Sequence, residues 1–347
     1  MERYNVAIVG ATGLVGQELI RAIEKRRFPL STLQLFASDR SAGKIMAIGG
    51  TEIPVRPADP KAFEGVDLAF FAAGAEIAQY YVPRAVQSGA VAIDASAAFR
   101  TEPGVPLIVP EVNPEDIDRH EGIISNPNCS TVQLALVLHP LNKANRIVQA
   151  VVSTYQSVSG AGAAGVEELT RQCRLALGGR PSVPHVFRHQ IAFNVLPEVD
   201  VFLHNGFTRE EWKLSEETRS IMHSPDMFVT ATCARVPVYV GHCQAVHIEF
   251  TAPIAPEDVR RLLAAMPGVK VVDDTTVSLY PQPRFVAHTD EVTVGRVRQD
   301  PNSPTRISLW TVADNLRKGT AVNAVQIAEE MVRRGRLHVR KEQGTSW

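Results

Sequence analysis

One short segment of the sequence, SNPNCST at residues 125–131, has the composition and the setting of a nucleophile turn. An apolar stretch at residues 122–124 predicts a short strand before it, and apolar residues at helical spacing predict a helix that starts near Cys129. The N–H groups and the dipole of a first helical turn favour a thiolate over a thiol, and the thiolate is the reactive form. Cys129 is therefore a candidate nucleophile. The alternative is a small buried apolar residue, which is what most cysteines outside disulfides are.

A second motif lies at the N-terminus, where a glycine turn follows an apolar strand. Residues 5–9 predict the strand, GATGLVG at residues 10–16 follows, and a helix is predicted to about Lys25. Glycines allow the backbone to approach a pyrophosphate, and the helix N-terminus supplies donors and positive dipole. The GxxGxxG spacing predicts a dinucleotide site, although glycines also occur in ordinary turns.

The turn after the second predicted strand bears on the choice of dinucleotide. It reads Ser38-Asp39-Arg40-Ser41. An acidic residue here usually binds the ribose hydroxyls of NAD, whereas Arg with hydroxyl residues accommodates the 2′-phosphate of NADP. Both types are present, and a solvated turn of this composition is also possible. We favour NADP because one Arg and two Ser form a plausible phosphate nest.

Apolar periodicity predicts two differently built halves. In the first half, strands at 33–37, 68–72 and 91–94 alternate with helices such as 74–87. In the second half, long β-type segments at 147–157, 228–233, 245–251, 292–297 and 307–312 outnumber helical segments at 160–177 and 208–222. A last helix is predicted over about 319–334, packing back on the first domain.

The predicted fold class is α/β, with a Rossmann-like doubly wound N-terminal domain and an α+β C-terminal catalytic and dimerisation domain containing a mixed sheet. We place the NADP-binding domain at residues 1–128, completed by a C-terminal helix at about 315–336. The catalytic and dimerisation domain is then 129–314.

Composition narrows the function classes. Of the 347 residues, 45% are hydrophobic and 21% charged, with a formal net charge of -1, so charge gives no reason to expect a nucleic acid or membrane partner. The four cysteines include no CxxC pair, which argues against a disulfide framework and against a metal site. A reducing cytoplasm is the expected compartment. No stretch approaches the roughly 18 apolar residues that a membrane span needs.

Several polar residues lie where a site could use them, but each also has an ordinary explanation. Arg100 follows the strand at 91–94, and Gln156 lies in an otherwise apolar strand. Glu210 and Lys213 are one helical turn apart, which by default is an exposed ion pair. Arg235 and His242 flank an apolar stretch, and a single His is usually structural.

Taken in order, these motifs resemble the aspartate-β-semialdehyde dehydrogenase family over nearly the whole chain. The resemblance is carried by the glycine turn, the Cys129 segment, the Gln156 strand, the Glu210 and Lys213 helix, the stretch 235–242 and the segment ADNLRKG at 313–319. The segment HQIAFN at 189–194 resembles one branch of that family.

The resemblance implies a role for each candidate. Cys129 is expected to be the nucleophile and His242 the general acid/base, with Gln156 orienting the thioester carbonyl and Asn128 in the same motif. Arg235 is expected to bind the substrate α-carboxylate and Glu210 its amino group. Arg100 and Lys213 are expected to bind the phosphoryl group or inorganic phosphate. The expected cofactor-binding residues are Gly10, Thr12, Gly13, Leu14, Val15 and Gly16 near the pyrophosphate, Ser38, Arg40 and Ser41 near the 2′-phosphate, Asn315 near the nicotinamide, and Gly160.

The reaction that the resemblance implies is the NADPH-dependent, reversible conversion of L-4-aspartyl phosphate to L-aspartate 4-semialdehyde through a cysteine thioester. It belongs to the aspartate pathway to lysine, threonine, methionine and diaminopimelate. In this scheme hydride transfer to the thioester forms an intermediate, and a protonated His242 assists the collapse of that intermediate to the aldehyde. The expected assembly is a homodimer, with a dimer of dimers as a variant.

Two alternatives stay open. The first is N-acetyl-γ-glutamyl-phosphate reductase, which tends to read Asn-Pro-Gly-Cys-Tyr where this chain reads Asn-Pro-Asn-Cys-Ser. Glu210 also argues against it, because an acetylated nitrogen carries no charge to pair. The second is a non-catalytic nucleotide-binding paralogue, against which the presence of Cys129, Gln156 and His242 counts.

Overall fold

The computed structural model describes residues 2–59 and 61–339, which form two compact units. The first unit contains the described residues up to Pro127 and from Thr320 onward, and the second contains Asn128–Gly319. The strands are β1 (Tyr4–Val9), β2 (Leu30–Ala37), β3 (Ile45–Ile48), β4 (Thr51–Pro57), β5 (Leu68–Phe71), β6 (Val91–Asp94), β7 (Ile123–Ser125), β8 (Ile147–Gln156), β9 (Phe228–Arg235), β10 (His242–Phe250), β11 (Val269–Val271), β12 (Val292–Asp300) and β13 (Ser303–Ala313). The helices are α1 (Leu14–Arg26), α2 (Ala75–Gln87), α3 (Cys129–Ala144), α4 (Gly162–Leu177), α5 (Arg209–Ile221), α6 (Pro256–Ala264), α7 (Pro283–Val286) and α8 (Val322–Arg333).

The first unit is built on a seven-stranded sheet of order β3-β4-β2-β1-β5-β6-β7. All neighbouring strands in it are parallel except β3 and β4. From β1 the chain adds β2 and β4 on one side, with β3 at the edge, and β5, β6 and β7 on the other, so the loop after β1 lies at a topological switch point. Ligands of doubly wound sheets bind at such a point, beyond the carboxyl ends of the strands.

Side-chain alternation along β1 explains why helices cover both faces of this sheet. Val6 and Ile8 pack in one core with residues of α1 and α8, whereas Ala7 and Val9 pack in a second core with residues of α2. A strand that is apolar on both sides must be buried on both sides, as in parallel α/β sheets. The C-terminal helix α8 therefore packs with α1 inside the first unit.

The second unit contains a six-stranded sheet of order β11-β12-β13-β10-β8-β9. The pairs β8–β9 and β11–β12 are parallel and the other pairs are antiparallel, so the sheet is mixed. Along β8, Ala150 and Val152 are buried and Val151 is exposed, which gives the sheet one covered face and one open face. The predicted fold class, an α/β chain with a doubly wound part and an α+β part, is confirmed.

Some elements were not predicted from the sequence. The β3–β4 hairpin has few buried residues, and α6 and β11 are short, with nine and three residues. The helix predicted to open at Gly160 instead begins as a 3₁₀ turn, Val158–Ala161, because Gly162 adopts a φ of 76° and interrupts the helical backbone. A π-helical turn at Arg317–Ala321 precedes α8. Among residues 2–59 and 61–339, no helix has both the length and the apolarity of a membrane span.

Candidate active site

Cys129 is the first residue of α3, as predicted, and the turn before it is held by side chains. Asn128 is the N-cap residue, and its Oδ1 accepts a hydrogen bond from the Ser130 N–H at 2.8 Å. The backbone N–H of Asn128 donates to Oε2 of Glu217 at 2.8 Å. Two hydrogen bonds thus fix the backbone on both sides of the thiol, where the helix dipole favours negative charge.

Strand register brings four other predicted site residues to one edge of the second sheet. Gln156 ends β8 and is paired with Arg235, which ends the parallel strand β9. His242 begins β10, which runs antiparallel to β8, so its start lies at the same edge. His242 is paired with Ala313 at the end of β13, and Asn315 follows two residues later. One edge of the sheet therefore presents an amide, a guanidinium, an imidazole and a second amide.

Glu210 joins the nucleophile turn to this edge. It lies in the first turn of α5, which a Thr208–Glu211 capping box initiates. Its side chain is buried, and Oε1 accepts hydrogen bonds from Asn128 Nδ2 at 2.9 Å and from Gln156 Nε2 at 2.9 Å. Glu210 is therefore a buried carboxylate in contact with two amides of the site, and not the exposed half of a helical ion pair.

Lys213, one turn further along α5, is held by an acid. Its Nζ lies 2.8 Å from Oδ2 of Asp200. Burial opposes ionisation of Asp200, but the Lys213 ammonium, with the Val201 N–H and the charge of Arg209, lowers the pKa of the carboxyl below its usual value. An anion that binds Lys213 must therefore compete with Asp200 or share the ammonium with it.

Arg235 and His242 face the same small space, at Gly160. A Cβ atom built on Gly160 lies 2.7 Å from Arg235 Nη1 and 3.2 Å from His242 Nε2. Arg235 is buried and donates from Nη1 to the Ser157 carbonyl at 2.8 Å. Burial lowers the pKa of the Arg235 guanidinium, and the negative charge of Glu210 opposes that change. Gly160, which we predicted near the cofactor, thus lies against two groups predicted to act on the substrate.

The His242 imidazole is fully buried and is held from one side. Nδ1 lies 3.1 Å from the Ser157 backbone N and 3.0 Å from Ser157 Oγ. Nε2 has no hydrogen-bond partner among the described residues. Burial, and then the positive charge of Arg235, lower the pKa of His242 well below its ordinary value.

The two buried thiols, Cys233 and Cys243, are poor candidates for the nucleophile. Burial raises the pKa of the Cys243 thiol to about 12, and it raises the pKa of Cys233 well above its usual value. Both therefore stay protonated near neutral pH. Within the described part of the chain, no group of three or more His, Cys, Asp and Glu side chains could hold a metal ion.

The glycine turn of the first unit fits a dinucleotide pyrophosphate. Gly10 has a φ of 87°, and a Cβ there would stand 2.5 Å from the Ala72 carbonyl oxygen, so the tight turn requires glycine. Gly13 is the N-cap of α1, and neither a capping side chain nor an acidic first-turn residue occupies that helix end. Its N–H groups therefore face the region where an anion can bind.

The other predicted cofactor residues of the first unit lie in or beside this turn. Leu14, Val15 and Gly16 form the first turn of α1. Thr12 Oγ1 donates to Ser41 Oγ at 3.2 Å, which joins the glycine turn to the 3₁₀ turn Asp39–Ser41. Ser38 and Arg40 are exposed beside it. The predicted 2′-phosphate residues and pyrophosphate residues are thus neighbours.

Arg100 is also in the first unit, where backbone oxygens hold it. Its Nε donates to the Asn126 carbonyl at 3.1 Å, and Nη2 donates to the Ala95 carbonyl at 3.0 Å. These bonds fix the guanidinium at the carboxyl ends of β6 and β7.

Sequence reasoning missed two residues of the site, Ser157 and Glu217. Ser157 contacts His242, Arg235 and Asn315, and Glu217 binds the backbone next to the nucleophile. The only available signal was position, since Ser157 follows Gln156 directly and Glu217 lies two helical turns after Glu210.

Comparison with known proteins adds to this geometry. Residues 5–120 match the family model described as semialdehyde dehydrogenase, NAD binding domain, and residues 138–318 match the one described as semialdehyde dehydrogenase, dimerisation domain. The aspartate-semialdehyde dehydrogenase of Aquifex aeolicus is 46% identical over 337 residues, covering 96% of this chain and 99% of that protein. That of Bacillus subtilis is 45% identical, covering 94% and 97%.

The chain belongs to the aspartate-semialdehyde dehydrogenase family. Solved structures agree with this assignment. The crystal structure of aspartate semialdehyde dehydrogenase II from Vibrio cholerae complexed with ASA has a TM-score of 0.93 and 43% identity, covering 96% of this chain and 99% of that one. The Candida albicans enzyme with NADP has a TM-score of 0.76 and 25% identity, covering 97% and 100%. This family is one of nicotinamide dinucleotide-dependent oxidoreductases, as the resemblance predicted.

Proposed function

We propose that this chain reduces L-4-aspartyl phosphate to L-aspartate 4-semialdehyde with NADPH, reversibly, through a thioester on Cys129. The observation that carries the proposal is the second unit's cluster, in which a thiol at a helix start accompanies a buried carboxylate, guanidinium and imidazole. These are the groups needed to attack an acyl carbon while holding an amino acid backbone. The Vibrio cholerae relative complexed with ASA supports the same substrate class.

The substrate's two charged ends have matching partners. Arg235 offers a planar, two-pronged donor for the α-carboxylate, and Glu210 offers a carboxylate for the α-ammonium. Lys213 and Arg100 are the cations assigned to phosphate. Glu210 argues against an N-acetylated substrate, because an acetylated nitrogen leaves the buried carboxylate without a cation.

Each step then follows from a residue of the chain. The Cys129 thiolate adds to the acyl carbon, and the tetrahedral oxyanion collapses to a thioester as phosphate leaves. A bound nicotinamide dinucleotide supplies the hydride that reduces this thioester. The resulting oxyanion collapses, the aldehyde forms, and Cys129 leaves as a thiolate. We assign Gln156 and Asn128 to the orientation of the reacting carbonyl, and His242 to the role of general acid/base.

The cofactor assigned to the first unit is NADP. The open α1 N-terminus and Gly10 support pyrophosphate binding, and Arg40 with Ser38 and Ser41 supports recognition of the 2′-phosphate. The Candida albicans relative, solved with NADP, is consistent with this choice.

We also propose a homodimer formed through the second unit, and we place it in the cytoplasm. The match of residues 138–318 to a dimerisation domain supports the first statement. The proposed cytoplasmic location rests on the four cysteines, which all lie within the described residues and form no disulfide.

The function is tested by phosphate-dependent reduction of NADP with L-aspartate semialdehyde, run beside N-acetylglutamate semialdehyde. We expect turnover with the first aldehyde, dependence on inorganic phosphate, and a much lower kcat/KM with the second. Preference for the acetylated aldehyde would assign the chain to the other reductase, and no turnover with either would make it a non-catalytic binding protein.

A further inference from the structure

The buried carboxylate of Glu211 makes two backbone contacts that lie in different elements. Its Oε2 accepts the Thr208 N–H at 2.7 Å, and this bond is part of the capping box that begins α5. Its Oε1 accepts the Cys233 N–H of β9 at 2.8 Å. One side chain therefore caps the helix and also attaches the first turn of that helix to the strand.

The attachment uses the edge of the second sheet. β9 is the last strand in the sheet order, and the outward backbone groups of an edge strand need partners other than a second strand. Cys233 finds such a partner in Glu211, and the Val229 carbonyl accepts from Ser215 Oγ at 2.8 Å. Since Glu211 and Ser215 are four residues apart, they lie on one face of α5. That face is attached to β9 at two points.

The Glu211 contact lies between two charged residues of the site. Glu210 is the preceding residue of α5, and Arg235 follows Cys233 by two residues on β9. The backbone path from Glu210 to Arg235 therefore crosses only one hydrogen bond, the one that Glu211 accepts. The position of α5 along the edge of β9 thus sets the spacing between the carboxylate and the guanidinium.

A second link between the same two charges runs through Gln156. Its Nε2 donates to Glu210 Oε1 at 2.9 Å, and its backbone is paired with Arg235 across β8 and β9. This link holds the end of the Glu210 side chain, whereas Glu211 holds the backbone from which that side chain projects. Both links are needed to fix the direction as well as the position of the Glu210 carboxylate.

We propose that Glu211 is a positioning residue that fixes the spacing between Glu210 and Arg235 and thereby makes the site selective for an aldehyde with an α-ammonium group. This role rests on the proposed function, in which Arg235 binds the α-carboxylate and Glu210 the α-ammonium. Both groups are attached to one carbon atom of the substrate, so their separation is fixed. A site that binds both must hold its own two charges at a matching spacing.

The test compares L-aspartate 4-semialdehyde with succinate semialdehyde, which lacks only the α-ammonium group. The ratio of the two kcat/KM values, measured by phosphate-dependent NADP reduction, reports what the site gains from the ammonium. Glu211→Gln keeps the size of the side chain, but its NH₂ group then faces one of the two N–H donors. We expect the ratio to fall about 10-fold or more, with a higher KM for aspartate semialdehyde, because the ammonium contact is misplaced while Arg235 still binds the carboxylate.

Ser215→Ala is the matched control. It removes the other attachment of α5 to the same strand edge, one helical turn further from Glu210, so we expect the wild-type ratio. An unchanged ratio in Glu211→Gln, or an equal fall in the two variants, would overturn the positioning role. Glu211→Asp serves if the glutamine variant does not fold, because it keeps the charge but is too short to reach both donors. We expect its ratio to fall as well, and a wild-type ratio in this variant would also contradict the role.

A second measurement does not depend on turnover. The chain has four cysteines, so ¹⁵N-cysteine labelling of the full-length protein gives four backbone amide signals, and the Cys233 signal is identified by its loss in Cys233→Ala. We expect the Cys233 amide to exchange with solvent at least about 10-fold faster in Glu211→Gln than in the wild type, and at the wild-type rate in Ser215→Ala. Equal exchange in Glu211→Gln and wild type would refute the attachment itself. Faster exchange in a chain whose wild-type ratio is near one would instead refute the substrate contact assigned to Glu210, and with it the selectivity.

Discussion

The substitution Gly160→Ala is expected to change the geometry of the site with little effect on the stability of the fold. Gly160 has ordinary backbone angles within the 3₁₀ turn Val158–Ala161, so alanine is compatible with its conformation. The new methyl would stand 2.7 Å from Arg235 Nη1, about 0.7 Å closer than ordinary van der Waals contact at 3.4 Å. Arg235 must move by about that amount, or the turn must shift.

The expected outcome is a loss of activity with little loss of stability. A displacement approaching 1 Å in a positioning group costs up to about 100-fold in rate, so we expect kcat/KM for aspartate semialdehyde to fall about 10- to 100-fold. Replacing glycine at a compatible position changes the free energy of unfolding by about 0.4–1 kcal/mol in the stabilising direction, which offsets part of the crowding.

The assay is steady-state NADP reduction together with urea denaturation. Gly178→Ala is the matched control, because its Cβ would meet its nearest atom at an ordinary 3.4 Å and no residue of the site. Wild-type kcat/KM in Gly160→Ala would refute the claim that Arg235 and His242 face this space. Equal losses in the two variants would refute it as well.

Two further predictions follow from contacts of the site and of the cofactor turn. Glu217→Ala removes the acceptor of the Asn128 N–H, so we expect the free energy of unfolding, measured by urea denaturation, to fall by about 1–3 kcal/mol and kcat to fall as well. Glu216→Ala removes an exposed partner of Arg219 and should change little. Equal effects in the two variants would contradict the anchoring role of Glu217. Arg40→Ala removes the proposed 2′-phosphate contact, so we expect KM for NADPH to rise about 10- to 100-fold with little change for NADH, and an equal rise for both cofactors would exclude that contact.

The sequence predicted those parts of the fold in which local pattern and burial coincide. Apolar runs predicted β1, β5 and β6 nearly to the residue, and apolar residues at helical spacing placed the helix start near Cys129. The predicted strands were too short at the ends that form the site. The predicted β9 stops at Cys233 and the predicted β10 begins at Ala245, whereas the strands extend to Arg235 and from His242. Polar functional residues end an apolar pattern even where the strand continues.

The partners within the site were harder to predict because they are distant in the chain. The Asn128 N–H binds Glu217, which is 89 positions away, and Ser157 binds Asn315, which is 158 positions away. Neither bond leaves a local signature. The Lys213–Asp200 pair shows the same limit, since a neighbouring helical acid was the expected partner. Sequence order and family resemblance suggested the residues, and only the structure shows their hydrogen bonds.

The central claim is a thioester on Cys129, and one measurement tests it most directly. The protein is mixed with NADP and aspartate semialdehyde in the absence of phosphate, so that oxidation can proceed but release cannot. We predict a burst of one NADPH per active site, with the mass of one aspartyl group added to the peptide containing Cys129 and neither signal in Cys129→Ala. A wild-type protein that forms no adduct under these conditions, or that carries it on another residue, would contradict the account.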